Sequence, residues 1–164
     1  MTTWLGTAVL DAGTIRALLA VAILLGTLAA LWPSTQSLMA KWQDELVRAY
    51  SHGSLVVGVS CFLLWRLRRA PEPTRASALG FAACLGSTVL WMIAFRSGIQ
   101  VAHQALVPLV VWSAIWAAFG GSFARRAIIP AGYLYFAIPV WDVFNHSLQW
   151  LSALAVRAEL SLIG

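Results

Sequence analysis

Long apolar runs separated by short polar stretches dominate this chain. The first run covers about 14–32 and ends at Pro33. At about 1.5 Å rise per residue, a helix of that length crosses a hydrocarbon core of about 30 Å. Further runs occupy about 51–66, 76–95, 99–119 and 126–141. The second is short and must begin near Ser51 to cross. The fifth contains Pro130 and Pro139, which membrane helices tolerate because neighbouring groups satisfy the freed carbonyls. Between the first two runs, Leu38, Trp42, Leu46 and Ala49 recur at helical spacing among Gln36, Lys41, Gln43, Asp44, Glu45 and Arg48. That spacing predicts an amphipathic helix over 35–50 lying on the membrane surface. The stretch 142–164 is also amphipathic, with Phe144, Leu148, Leu151, Leu154 and Ala155 on one face and Asn145, Gln149 and Ser152 elsewhere. It either lies at the interface or begins a further segment. The first run is not a good cleavable signal, because it is long and no small-x-small site precedes Pro33. The expected architecture is all-α: one domain over 1–164, a polytopic transmembrane helical bundle of about five spans plus one or two amphipathic interfacial helices.

Composition strengthens this reading. Of the 164 residues 60% are hydrophobic and only 10% are charged. A soluble domain has about 25% charged residues, so this chain has too little polar side chain to cover a water-facing surface. Many of the nine Trp residues fall near the ends of apolar runs, where an indole sits half wet and half buried. The net charge of +5 comes from arginines at segment ends rather than along one face, which excludes a nucleic-acid interface as the first reading. Arg66, Arg68, Arg69 and Arg75 lie between the second and third runs, and Arg125 and Arg126 between the fourth and fifth. The positive-inside rule then places both groups in the cytoplasm, with the N-terminus inside. The 34–52 stretch, the Arg96 turn and the segment after Trp141 face outside.

Few residues suggest chemistry. His52, His103 and His146 all fall toward the outer side, without carboxylate or thiol partners at metal-ligand spacing, so neither a metal nor another cofactor is expected. Cys61 and Cys84 lie within apolar runs and read as small buried side chains. Arg16 and Arg96 sit near span ends, where they snorkel to the interface, and Asp142 follows an outer end. No charged residue stands mid-span, which argues against a proton or ion pathway. Pro71-Glu72-Pro73, an apolar run and Arg96 together mimic a Pro-Glu-Pro sorting signal. Placed mid-chain and on the inner side, the tripeptide reads as a tight loop.

Two stretches together resemble the exosortase/archaeosortase family of membrane cysteine transpeptidases. The first is Tyr50-Ser51-His52-Gly53, followed by an apolar span and Leu64-Trp65-Arg66-Leu67-Arg68-Arg69. The second runs through Arg125-Arg126, Ile129-Pro130, Phe136-Ala137-Ile138-Pro139 and Asp142 to Leu148-Gln149-Trp150-Leu151-Ser152-Ala153. The resemblance implies a thiolate that attacks the backbone near a C-terminal sorting signal of an exported protein, forms an acyl-enzyme, and is assisted by an arginine and a histidine. His52, Gly53 and Pro139 match family positions without an assigned catalytic role. The family's Cys-Ser-Gly-Leu-Arg segment is not found within the 164 residues. Neither Cys61 nor Cys84 is followed by Ser-Gly.

The expectation is therefore the N-terminal membrane portion of an exosortase-like transpeptidase, in a bacterial inner membrane, lacking the catalytic Cys/Arg/His segment. Its partners would be membrane lipid and exported proteins, not nucleic acid. The alternative is a non-catalytic membrane subunit or scaffold. Single cysteines introduced at Ser51, Thr74 and Ser122 test the topology with a membrane-impermeant thiol reagent. Ser51 should label from outside and Thr74 and Ser122 only after permeabilisation; outside labelling of Thr74 would invert the assignment.

Overall fold

The computed structural model describes residues 11–43, 52–69, 75–139 and 142–163, and within the last helix the side chains of 148–157, 159 and 160. The tight loop expected around Pro71 and Pro73, the polar positions Asp44, Glu45 and Arg48, and the side chains of Asp142 and His146 lie outside this set.

The described residues form seven α-helices: α1 (Ala12–Ala30), α2 (Trp32–Trp42), α3 (Gly53–Arg66), α4 (Ala78–Arg96), α5 (Gln100–Phe119), α6 (Gly121–Tyr133) and α7 (Asp142–Ile163). Short 3₁₀ turns extend α3 through Leu67–Arg69 and α6 through Leu134–Ala137. No strand occurs among the described residues. Three helices, α1, α4 and α5, are long and apolar enough to cross a membrane. The other two expected spans fall short of that length: α3 has 14 residues and α6 has 13 before each tightens into its 3₁₀ turn.

Helix starts follow local chemistry. The Asp11 carboxylate accepts from the Gly13 and Thr14 amides at 3.1 and 3.2 Å, capping α1. The Thr14 hydroxyl and then the amides hold its pKa below the ordinary value, so the cap is fully formed at neutral pH and lost as pH falls through that lowered pKa. Ser77 caps α4 by accepting from Gly80 N at 3.2 Å. Pro33 stands in the first turn of α2, where its missing N–H is harmless.

Two boundaries differ from the sequence reading. The break after α1 comes at Leu31, and α2 is formed by 32–42 rather than beginning at 35. At the other junction, α6 starts at Gly121, five residues ahead of the expected 126, so Arg125 and Arg126 ride on a helix instead of occupying a loop. The cause is Gly120. Its φ of 83° reverses the chain within one residue, and the space a Cβ would need lies 2.6 Å from the Arg75 carbonyl oxygen.

The helices alternate in direction. The start of α1 meets the end of α3, where a Cβ on Gly13 would overlap the Arg68 carbonyl. The end of α1 meets the start of α5, where Leu31 packs on Val107 and Val110. The start of α4 meets the end of α5 through a Ser77 N to Ala117 O bond of 3.0 Å. One end of the bundle thus gathers the Arg-rich segments, and the other gathers α2, the 3₁₀ turn after α6 and the α4–α5 connection. Between the ends, Ala20 and Leu24 of α1, Leu64 of α3, Val111 and Ile115 of α5, and Phe123 and Ala127 of α6 form one core. Helix α4 stands at the edge. Gly80 and Ser87 are its buried positions, and Leu79, Phe81, Leu85 and Ile93 point outward, as lipid-facing residues do.

Close approach of α4 to α5 depends on Gly80, where a Cβ would sit 2.5 Å from Ala117 N and 2.6 Å from the Trp116 carbonyl carbon. Backbone cannot yield as a side-chain tip can. Gly80→Ala is therefore expected to destabilise the protein by about 1–3 kcal/mol in thermal unfolding from detergent micelles. Gly86→Ala on the same helix meets nothing within 4 Å and should be neutral or stabilising by up to about 1 kcal/mol, through helix propensity.

Candidate functional site

The end of the bundle away from the arginines carries a buried polar network that joins α2, α4 and α5. Its centre is Ser34, fully buried. Trp91 Nε1 donates to Ser34 Oγ at 2.8 Å, and Ser34 Oγ lies 2.7 Å from His103 Nδ1. An indole nitrogen only donates, so the Ser34 hydroxyl oxygen accepts from Trp91 while sharing its second contact with His103 Nδ1. The His103 ring meets Phe95 edge-on, and Phe95 stacks on Trp91. One residue along, Gln104 Nε2 donates to Ser37 Oγ at 2.8 Å, and Ser37 Oγ donates to the Ser34 carbonyl at 2.7 Å. Gln104 Oε1 is buried without a hydrogen-bond partner among the described residues.

A serine beside a histidine is the pairing used for nucleophilic attack. Here it serves another end. Ser34 has no exposed surface, His103 is 6% exposed, and the hydroxyl is already held by two ring systems. The network anchors α2 across the ends of α4 and α5. The sequence reading missed it, taking Ser34 for the start of a polar surface stretch and His103 for an interfacial residue. The legible signal was the His103-Gln104 pair inside an apolar run, one helix away from Trp91.

A second cluster lies beside this network. Trp42 Nε1 donates to the Ala137 carbonyl at 2.8 Å, and the indole lies over Gly53 so closely that a Cβ there would come within 2.2 Å of Nε1. His52 Nε2 is 3.2 Å from the Phe136 carbonyl oxygen. A carbonyl only accepts, so His52 Nε2 is the donor in this contact. Ile138 and Pro139, next along the chain, are buried. His52, Gly53 and the 136–139 segment, far apart in sequence, therefore form one cluster. His52 remains exposed to solvent. Its partner differs from that of His103, and the His146 side chain lies outside the described residues.

The other singled-out residues sit elsewhere. Arg66, Arg68 and Arg69 close α3 at the opposite end, with the Arg68 guanidinium 4.7 Å from the Trp65 ring centroid. Arg125 and Arg126 are exposed on α6 at that same end. Cys61 packs against the central core, and Cys84 lies within α4; both are free thiols.

The transmembrane exosortase family matches residues 42–164. The chain belongs to this family. The matched region opens on Trp42, so both sides of the Trp42–Gly53 and His52–Phe136 contacts fall within it. No curated protein and no solved structure matches the chain.

The Trp42–Gly53 contact has a specific energetic signature. Gly53→Ala alone is expected to cost about 1–3 kcal/mol, because it drives the indole away from Ala137. In a Trp42→Ala background the same substitution should be nearly neutral. Thermal unfolding of the four proteins in a double-mutant cycle measures the coupling, and additive effects would show that the contact does not hold the two segments together.

Proposed function

We propose that this chain forms the membrane scaffold of an exosortase-type cysteine transpeptidase that processes C-terminal sorting signals of exported proteins. The observation that carries the reading is the family match over 42–164, together with the meeting of His52 and Gly53 with the 136–139 segment at one end of the bundle. In this reading α3 and α6, with their 3₁₀ extensions, complete five crossings of a bacterial inner membrane. The Arg-rich end faces the cytoplasm, and the His52 end faces outward. Substrate leaving the bilayer on the outer side would meet Trp42, His52 and Phe136 first.

The reaction the family implies is attack of a thiolate on a peptide carbonyl, expulsion of the signal's amine and resolution of the acyl-enzyme by an acceptor amine. A thiolate forms at neutral pH only beside a base or cation. Cys61 faces the apolar core and Cys84 lies within a membrane helix, where a charged sulfur would be strongly disfavoured. Neither fits the nucleophile's role. The part played by these 164 residues is then to hold and orient: a rigid bundle, a covered polar end and an exposed histidine beside the mouth.

A photo-crosslinking amino acid placed at His52, in membranes holding a reporter protein with a Pro-Glu-Pro sorting signal, should capture the reporter; the same probe at Arg125 should not. Capture at Arg125 alone, or at neither position, would remove the support for this reading. The purified chain is expected to leave the reporter uncleaved, and a Cys61→Ala, Cys84→Ala double variant should capture it as well as the parent. Cleavage by the purified parent that disappears in the double variant would place a nucleophile within the bundle.

A further inference from the structure

The side of the bundle formed by α5 and α6 holds a feature that the scaffold role leaves unused. A hollow of about 230 Å³ lies between these helices, lined among others by Pro108, Leu109 and Trp112 of α5 and by Ile128, Gly132 and Tyr135 of α6 and its 3₁₀ turn. Leu109 and Ile128 are exposed, so the hollow opens on the outside of the bundle. It exists because Ala131 and Gly132 bring almost no side chain to it; a Cβ on Gly132 would meet nothing within 4 Å. The side chains around it carry two polar atoms. Trp112 Nε1 is already used, donating to the Ala124 carbonyl at 2.8 Å. The other is the Tyr135 hydroxyl. Tyr135 is half-buried, and its hydroxyl makes no hydrogen bond among the described residues. A phenol in that position ordinarily finds a partner.

Tyr135 stands at the His52 end of the bundle, and Ile128 lies about two helical turns nearer the Arg-rich end. The hollow is therefore polar at one end only, the end where the apolar region gives way to water. A bilayer lipid has the same polarity, with its ester carbonyls near the surface and its chains below. A membrane helix from another protein fits less well, because its backbone carbonyls are spent within the helix and leave no acceptor for the phenol. We infer that this groove holds one acyl chain of a bilayer phospholipid, with an ester carbonyl oxygen accepting from the Tyr135 hydroxyl. The inference rests on α6 crossing the membrane, as in the function proposed above. Tyr135 belongs to the same 3₁₀ turn as Phe136 and Ala137. The lipid thus braces, from outside, the segment whose carbonyls hold His52 and Trp42.

The test uses the purified full chain in a neutral detergent, with native mass spectrometry following the retention of added phosphatidylethanolamine. The parent should retain the diester lipid roughly fivefold more strongly than its diether analogue, which lacks the carbonyl and so one hydrogen bond. Tyr135→Phe should hold both alike, at the diether level. Gly132→Leu fills the hollow and should lose both lipids, whereas Gly86→Leu, at an equally open position on α4, should keep them. A parent that retains no lipid, or that holds diester and diether equally, overturns the proposal. Undiminished retention by Gly132→Leu overturns it as well. Should Gly132→Leu not fold, the loss of diester preference in Tyr135→Phe decides. A photo-crosslinking residue at Ile129, 71% exposed on α6, separates this proposal from the crossing beneath it. Lipid adducts at Ile129 without diester preference in the parent leave α6 in the bilayer and overturn the groove site alone. Absence of lipid adducts at Ile129 overturns the crossing and the site together.

Discussion

The fold rests on one constraint: backbone carbonyls freed in an apolar surrounding must find donors inside the protein. The bundle breaks its helices repeatedly, and a side chain from another turn or another helix serves the carbonyl at each break. Where α1 ends, Thr35 Oγ1 donates to the Leu28 carbonyl at 2.7 Å. Where α6 tightens, the Leu134 N–H bonds Ala131 and Gly132, and Ser60 of α3 donates to the Pro130 carbonyl instead, at 2.8 Å. At the end of the 3₁₀ turn, Trp42 serves Ala137 and His52 serves Phe136. The Ser60, Trp42 and His52 bonds join segments 70 or more residues apart. The same contacts that satisfy broken helices therefore also fix which helices are neighbours.

Glycines do the complementary work by removing side-chain volume where segments touch. Gly13, Gly53, Gly80 and Gly120 each face main chain or an indole at a distance that excludes a Cβ, whereas Gly26, Gly58 and Gly86 face open space. In lipid there is no water-driven force between helices, so close packing and internal hydrogen bonds supply much of the association. Small residues at these crossings, with Ala17 and Ala20 fully buried on α1, let that packing develop.

These two devices leave the bundle with unlike ends. At one, a closed polar network under α2 holds Ser34, His103 and Gln104 out of contact with solvent, beside the exposed His52. At the other, Arg75 lines an open hollow where α4 begins and α5 turns into α6, and further arginines of α3 and α6 lie at the same end.

Helix content, apolar length and the alternating distribution of arginines were legible in the sequence, since each depends on residues close together along the chain. Runs such as 76–95 and 99–119 appear as α4 and α5 with ends shifted by one or two residues. The family resemblance was equally legible, through His52-Gly53 and Phe136-Ala137-Ile138-Pro139, and the family match over 42–164 bears it out. What the sequence did not disclose was the pairing. Ser34 looked like part of a surface stretch until α4 and α5 brought Trp91 and His103 to it. Arg125 and Arg126 looked like a loop until Gly120, held against the Arg75 carbonyl, let α6 begin at once. Local periodicity records which face a residue can present, but the donors that reach the Pro130, Phe136 and Ala137 carbonyls lie 70 or more residues away, and only the packed bundle chooses them.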